Sequence, residues 1–136
     1  MSERFLLDSH VLLWMALDDP QLDSRVLARL VEPGTPLLVS AAGIAELCIK
    51  ASSGKLSLPF DSGVDARTGF EDMLDRLEVA ALPIAMAHAV LLRDLPLHHR
   101  DPFDRLIIAQ AMCENLTIVT HDHAFAAYEG LTVLWA

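Results

Sequence analysis

Cysteine and positive charge are both scarce in this sequence. Its 136 residues include two cysteines, and 10 lysines and arginines stand against 19 aspartates and glutamates, which gives a formal net charge of −9. Cys48 and Cys113 are too few for a disulfide framework and suit a reducing compartment. The excess of acid argues against a protein that binds nucleic acid through a broad basic surface.

Long apolar runs are missing as well, although 53% of the residues are hydrophobic. Asp8, Pro83 and His88 interrupt the longest apolar stretches well short of the roughly 20 residues that cross a bilayer. The segment 1–19 has an acid inside its apolar run and no small-residue cleavage site, so it does not fit a secretory signal. We therefore expect a cytoplasmic protein without a membrane segment, folded as one domain over residues 1–136.

Three motifs of phosphate and ester chemistry are also absent. The sequence has no G-x-G-x-x-G and no G-x-x-x-x-G-K-[ST], which argues against dinucleotide and P-loop binding. It has no G-x-S-x-G, which weakens the case for a serine hydrolase triad.

The sequence does contain short apolar segments that alternate with segments compatible with helices. The predicted strands are residues 4–8, 37–40, 78–82, 116–120 and 131–135. The predicted helices are residues 9–17, 23–32, 41–52, 65–77, 85–93 and 101–115, with a short helix or turn at 121–128. Strands that are apolar on both faces and alternate with helices predict a three-layer α/β domain with a mainly parallel sheet.

The helix over residues 101–115 has the clearest boundaries. Asp101 is a good N-cap, Pro102 occupies the first helical position, and Asp104 stands where a capping box places an acid. We expect Asp101 to act mainly as the cap, with a metal-binding role as the weaker alternative.

Four carboxylates stand where an open parallel sheet binds ligands, beyond the carboxyl ends of its strands. Asp8 ends the first strand, and Asp122 follows the fourth by one residue. Asp104 lies in the first turn of its helix, and Glu46 lies more than one turn into the helix after residues 37–40. The aspartates could serve only as helix caps. Glu46 has apolar neighbours, and a lone buried carboxylate is costly.

Together the four acids predict a metal site. Converging carboxylates repel by roughly 4 kcal/mol per pair at about 4 Å and an effective dielectric constant of 20. Either some are protonated or cations lie between them, and ligation by oxygen alone selects Mg²⁺ or Mn²⁺. Zinc is the weaker alternative, because the neighbouring histidines lack the spacing of a zinc protease helix; these are His98, His99, His121 and His123.

Four segments in this order resemble the PIN-domain ribonucleases of the VapC toxin type. The segments are LLDSHVLLW, SAAGIAELCIKASSGKLSLP, HHRDPFDRLIIAQA and IVTHDHAF, and they extend over nearly the whole chain. The resemblance implies an α/β/α sandwich around a five-stranded parallel sheet and a cytoplasmic ribonuclease that depends on Mg²⁺ or Mn²⁺, with one or two ions. It also implies a homodimer that a small cognate antitoxin neutralises.

The resemblance also implies roles for individual residues. Asp8, Glu46, Asp104 and Asp122 match the family's four metal-binding and catalytic acids. Ser9 matches the hydroxyl residue after the first acid. We expect Ser9, Arg100 and Arg105 to contact the substrate. Ala45 departs from the tryptophan frequent before the glutamate, which leaves the acid intact.

The sequence also bears on two other functions and on a possible assembly surface. A PIN-like module that only binds a protein partner is the alternative function, but it predicts damaged acids. A receiver-like phospho-acceptor domain needs a lysine after a late strand, and the only lysines are Lys50 and Lys55. The high apolar content suggests a surface buried in an assembly, with residues 12–15 as candidates, although core packing explains some of them.

Overall fold

Strands and helices alternate along the chain in the computed structural model, which describes residues 3–60, 63–98 and 100–136. The strands are β1 (Phe5–Leu7), β2 (Leu37–Ser40), β3 (Val79–Leu82), β4 (Thr117–Thr120) and β5 (Val133–Trp135). The helices are α1 (Ser9–Leu17), α2 (Ser24–Leu30), α3 (Ala41–Ser52), α4 (Ala66–Leu77), α5 (Met86–Leu91) and α6 (Pro102–Glu114), and a 3₁₀ helix covers His123–Ala127. His99, a predicted zinc-ligand alternative, lies outside the described residues.

The five strands form one sheet in the order β3-β2-β1-β4-β5, and every pairing is parallel. Leu6 in the central strand faces Leu38 of β2 on one side and Ile118 of β4 on the other. The chain builds outward from β1 through β2 and β3, and then returns to the other side of β1 with β4. This reversal makes the carboxyl ends of β1 and β4 the position where such sheets bind ligands.

The alternation of side chains along β1 explains the layers. Phe5 and Leu7 enter an apolar cluster with residues of α1 and α4, whereas Leu6 enters a second cluster with residues of α6. Successive side chains of a strand point to opposite faces, so the two clusters lie on the two sides of the sheet. The structure confirms the predicted α/β/α architecture.

Helix α1 is more enclosed than the sequence analysis expected. Leu12, Leu13, Trp14 and Met15 are all buried in the core, so the prediction that they form an assembly surface is wrong. Four consecutive apolar residues cover the whole circumference of a helix, and here α3, α4 and the sheet surround it. The most exposed large apolar side chains near α5 are those of Met86, Val90 and Leu97.

Among the described residues, no helix combines the length and apolar character needed to cross a membrane.

Candidate metal centre

The four predicted acids line one cleft at the carboxyl edge of the sheet. Each comes from a different segment: Asp8 follows β1, Glu46 lies in α3, Asp104 lies in the first turn of α6, and Asp122 follows β4. The cleft has a volume of about 590 Å³. Its remaining lining residues are His10, Lys50, Asp101, His121, His123 and Ala124.

Two buried hydroxyl groups orient Asp8. The Thr120 hydroxyl donates to Asp8 Oδ2 at 2.7 Å, and it accepts a hydrogen bond from the backbone N–H of Asp122 at 3.1 Å. The Ser9 hydroxyl lies 3.4 Å from Asp8 Oδ1. Thr120 therefore connects the first acid to the backbone of the fourth, across the two central strands.

Ser9 also orients Glu46. Its hydroxyl donates to Glu46 Oε1 at 3.0 Å, and the residue has no exposed surface. A Cβ built on Gly43 would make ordinary van der Waals contact with the Cβ of Ser9, at 3.6 Å, so α3 lies close against the start of α1. Ser9 is thus placed to position carboxylates, and its burial argues against the direct substrate contact that the sequence analysis expected.

Lys50 supplies a cation on the far side of Glu46. It lies one helical turn further along α3, and its Nζ is 3.8 Å from Glu46 Oε2. The side chain is 37% exposed, so it reaches both the acid and the cleft. Among the described residues that line the cleft, it is the one lysine or arginine.

Burial and neighbouring negative charges both act on the carboxyl group of Asp104. Burial raises the pKa of Asp104 to about 7, and the charges of Asp101, Asp8, Glu46 and Asp122 add to the effect. Desolvation and like charges both disfavour the ionised carboxylate. The cleft therefore carries more negative charge than its own residues compensate.

Asp101 belongs to the cleft in addition to its role as a cap. Its Oδ1 accepts the backbone N–H of Phe103 at 2.9 Å, as the sequence predicts. Carboxylate oxygens of Asp101, Glu46 and Asp104 also lie within 4.8 Å of one another. Because the residue before Pro102 is held extended at the helix entrance, the same side chain can cap α6 and face Glu46.

The donor set fits a hard divalent cation. Within the described residues, the group that could hold a metal consists of the three carboxylates Glu46, Asp101 and Asp104 and includes no histidine or cysteine. Carboxylate oxygens suit Mg²⁺ and Mn²⁺, and a cation would favour the ionised form of Asp104, whose pKa is raised by burial and by the neighbouring carboxylates. Asp8 and Asp122 lie on the same cleft and could complete the site directly or through water.

Two of the histidines considered as zinc ligands contact aromatic rings. His121 contacts Trp14 with ring centroids 4.7 Å apart, and His98 contacts Tyr128 at 4.9 Å. His10 lies in α1 at the rim of the cleft, with Nδ1 4.0 Å from Asp8 Oδ1.

The two arginines expected to contact substrate have different surroundings. Arg105 donates to the backbone carbonyls of Pro96 at 2.9 Å, Leu92 at 3.0 Å and Leu95 at 3.4 Å. These bonds commit its guanidinium to the segment after α5 and argue against the predicted substrate contact. Arg100 is exposed and directly precedes Asp101.

Sequence reasoning did not single out Lys50, Thr120 or the exposure of His10 as features of the site. The spacing of four residues between Glu46 and Lys50 is a signal that could have identified the lysine. A polar residue at the carboxyl end of an apolar strand could have identified Thr120.

The chain is similar to known proteins over almost its whole length. The sequence matches the PIN domain family over residues 5–131, which is nearly the whole chain. The chain belongs to the PIN domain family. No curated protein sequence matches it.

Solved structures agree with this PIN domain fold. A chain of VapBC2 from Rickettsia felis, solved bound to a DNA fragment from the promoter, is 17% identical with a TM-score of 0.71, and the match covers 96% of this chain and 97% of that one. A chain of DNA-bound VapBC from Salmonella typhimurium is 14% identical with a TM-score of 0.68, covering 98% of both chains. VapBC-5 of Mycobacterium tuberculosis, a member of the VapBC family of toxin–antitoxin systems, is 22% identical with a TM-score of 0.57, again covering 98% of both. At these identities, the likeness supports the PIN fold over the full length.

Proposed function

We propose that this PIN domain, residues 1–136, is a cytoplasmic ribonuclease that depends on Mg²⁺ or Mn²⁺, with one or two ions, and is the toxin of a toxin–antitoxin pair. The observation that carries the proposal is the convergence of five carboxylates, from four segments of the chain, on one cleft at the switch point of the sheet. Such a cluster costs folding free energy, and a bound cation would offset that cost.

Glu46, Asp101 and Asp104 would hold the cation, with Asp8 and Asp122 completing the site. A divalent ion bound there would stabilise the negative charge of an attacked phosphodiester. It would also favour the loss of a proton from a water molecule. Ser9 and Thr120 would fix the orientations of Glu46 and Asp8, because second-shell hydrogen bonds hold ligands in place.

Lys50 and Arg100 would bind the substrate backbone. Lys50 reaches the cleft beside Glu46, and committing Glu46 to a cation would leave the ammonium for a phosphate oxygen. Arg100 is exposed next to Asp101 and presents a planar donor group suited to phosphate.

A small antitoxin and a second copy of the chain are the proposed partners. The antitoxin is supported by the VapBC complexes that share the fold. For the homodimer, the structure offers the apolar surface of α5 with Met86 and Val90. Light scattering of the purified chain at a mass of one 14.9 kDa protomer would contradict the homodimer.

Cleavage of a structured RNA with Mn²⁺ tests the enzyme. We expect the wild type to cleave, a chelator to stop it, and Asp8→Asn to lower the rate roughly 100-fold or more, since metal-assisted stabilisation amounts to several kcal/mol. Asp75→Asn on the exposed side of α4 is the matched control, and it should retain wild-type activity.

The same experiment distinguishes the alternative. If wild type freed of any antitoxin is as inert as Asp8→Asn, the chain is a catalytically silent PIN module that acts by binding protein. If wild type and Asp8→Asn cleave equally, the activity does not depend on the acidic cleft and the proposal is contradicted.

A further inference from the structure

A pair of aromatic rings in contact connects the acidic cleft with a second one. His123 lines the acidic cleft, and its ring lies 5.0 Å from that of Trp135, with an angle of 31° between the ring planes. Trp135 lines the second cleft, which has a volume of about 340 Å³. A chain leaving the acidic cleft past His123 therefore meets the indole next.

The backbone places this tryptophan close to the acids. Trp135 ends β5 and is paired in register with Thr120, whose hydroxyl holds Asp8. Neighbouring strands lie about 4.8 Å apart, so the indole begins one strand away from the site. A tryptophan at a strand end with 39% of its surface exposed is not needed to fill the core, and it presents a flat apolar face to a ligand.

The second cleft also contains positive charge. Arg25 lines it with a side chain that is 91% exposed, and its ion pair with Asp23 is 3.5 Å long. An exposed pair of this kind is worth little, so the guanidinium can turn to a phosphate. Arg29 lines the same cleft but is bonded to Glu3 and lies 5.3 Å over the ring of Phe5, so Arg25 is the better candidate.

From these features we infer that the Trp135–His123 pair is a stacking subsite for a nucleotide that flanks the scissile phosphate of single-stranded RNA, with Arg25 binding the next phosphate. The inference rests on the proposed nuclease function and adds a recognition element to it. Aromatic rings stack on any base, because every base has a π face, and a cation beside them binds the backbone. The subsite favours unpaired RNA, since a base within a duplex is already stacked on its neighbours.

Steady-state cleavage of a fluorogenic single-stranded RNA tests the stacking. Trp135→Leu should raise KM about tenfold with kcat within twofold, because base–aromatic stacking contributes to binding and takes no part in the chemical step. Trp135→Phe keeps an aromatic ring and should retain most of the affinity. An unchanged KM in Trp135→Leu would overturn the inference.

Tryptophan fluorescence gives an independent readout that needs no cleavage. The probe is a single-stranded octamer with hydrolysis-resistant phosphorothioate linkages, compared in Mg²⁺ with an abasic octamer of equal charge. The wild type should be quenched by the base-containing octamer only, and Trp135→Phe should lose that quenching because Trp14 is buried. Equal quenching in both proteins, or by both octamers, would contradict stacking.

The arginine is tested through salt dependence. Arg25→Gln should raise KM a few-fold and lower the slope of log KM against log salt by about 0.7, the value for one contact to single-stranded phosphate. Arg67→Gln, at a similarly exposed arginine on α4, is the matched control and should change neither. Identical slopes in the two variants would overturn the phosphate contact. If Trp135→Leu fails to fold, the fluorescence comparison with Trp135→Phe still tests the stacking.

The outcomes separate the two proposals. A wild type that cleaves no RNA contradicts the nuclease, whereas a wild type that cleaves with a KM insensitive to Trp135 contradicts only the subsite. If Trp135→Leu keeps its KM and loses binding of the co-expressed antitoxin, the surface belongs to a protein partner and the inference is wrong.

Discussion

Asp104 is the residue on which burial and repulsion act together. Its pKa is raised to about 7 by burial and by the carboxylates around it, whereas the ordinary value is 3.8. Between these values the metal-free folded state binds more protons than the unfolded state. The contribution of protonated Asp104 to the free energy of unfolding is therefore fully present below pH 3.8, and it is lost as the pH rises through about 7.

Thermal unfolding in a chelator checks this linkage. We expect Asp104→Asn to be more stable than wild type by about 1–2 kcal/mol at pH 8, because the amide cannot ionise, and the difference to shrink at pH 5.5. Adding Mn²⁺ at pH 8 should reverse the order, since only the wild type retains the ligand. A pH-independent difference between the two proteins would contradict the assignment.

Thr120 allows a second test at the scale of single atoms. Thr120→Val removes the hydroxyl that donates to Asp8 while keeping the shape, and we expect Mn²⁺ affinity measured by calorimetry to fall about tenfold. Thr117→Val is the matched control: it removes a hydroxyl bond of equal length, to Glu3, from the opposite end of the same strand. The two variants should lose similar stability, about 1–2 kcal/mol, but only the first should lose affinity. A comparable loss of affinity in both would show a general structural effect.

At the scale of elements, Arg105 joins the start of α6 to the segment that follows α5. Its bond to the carbonyl of Leu92 satisfies an acceptor at the end of α5, and its bonds to Leu95 and Pro96 hold the segment that follows. We expect Arg105→Gln to destabilise the fold by about 1–3 kcal/mol in urea unfolding, against less than 0.5 kcal/mol for the exposed Arg67→Gln. The salt dependence of RNA cleavage should stay at the wild-type slope. A lower slope would restore the phosphate contact that the sequence analysis expected.

The order and type of the elements were predictable because β1, β2 and β4 are apolar on both faces and end in polar residues. The cap of α6 was predictable from Asp101 and Pro102, since local chemistry determines a helix start. The direction of side chains on α1 was not predictable, because a helix that is apolar all round gives no preferred face. For that reason the sequence left open which of residues 12–15 face the core, and the structure buries all four.

The four acids were predictable as candidates from strand ends and from the resemblance, but their supports were not. Whether Ser9 faces a substrate or a carboxylate depends on how closely α3 approaches α1, which is a tertiary property. The same holds for Arg105, whose partners lie on a loop whose path the sequence leaves open.

At the scale of the whole molecule, the net charge of −9 predicts that RNA binds well only when a divalent cation is present. Five carboxylates line the cleft, and residues 61–78 hold a further excess of four acidic charges. We expect the phosphorothioate octamer to bind poorly in a chelator and at least tenfold more tightly in Mg²⁺, as measured by anisotropy.

Sodium chloride at matched ionic strength is the control for that measurement. Screening alone weakens contacts with phosphate, so it should not reproduce the gain. Equal affinity with and without Mg²⁺ would show that the acidic cleft is not where the nucleic acid lies.

The central position of β1 has a consequence for the growing chain on the ribosome. Asp8 is made more than a hundred residues before the strand beside it, which carries Thr120 and precedes Asp122. Until then β1 lacks one of its two neighbours, and the acids cannot come together. The site therefore cannot assemble in a nascent chain before synthesis has passed residue 122.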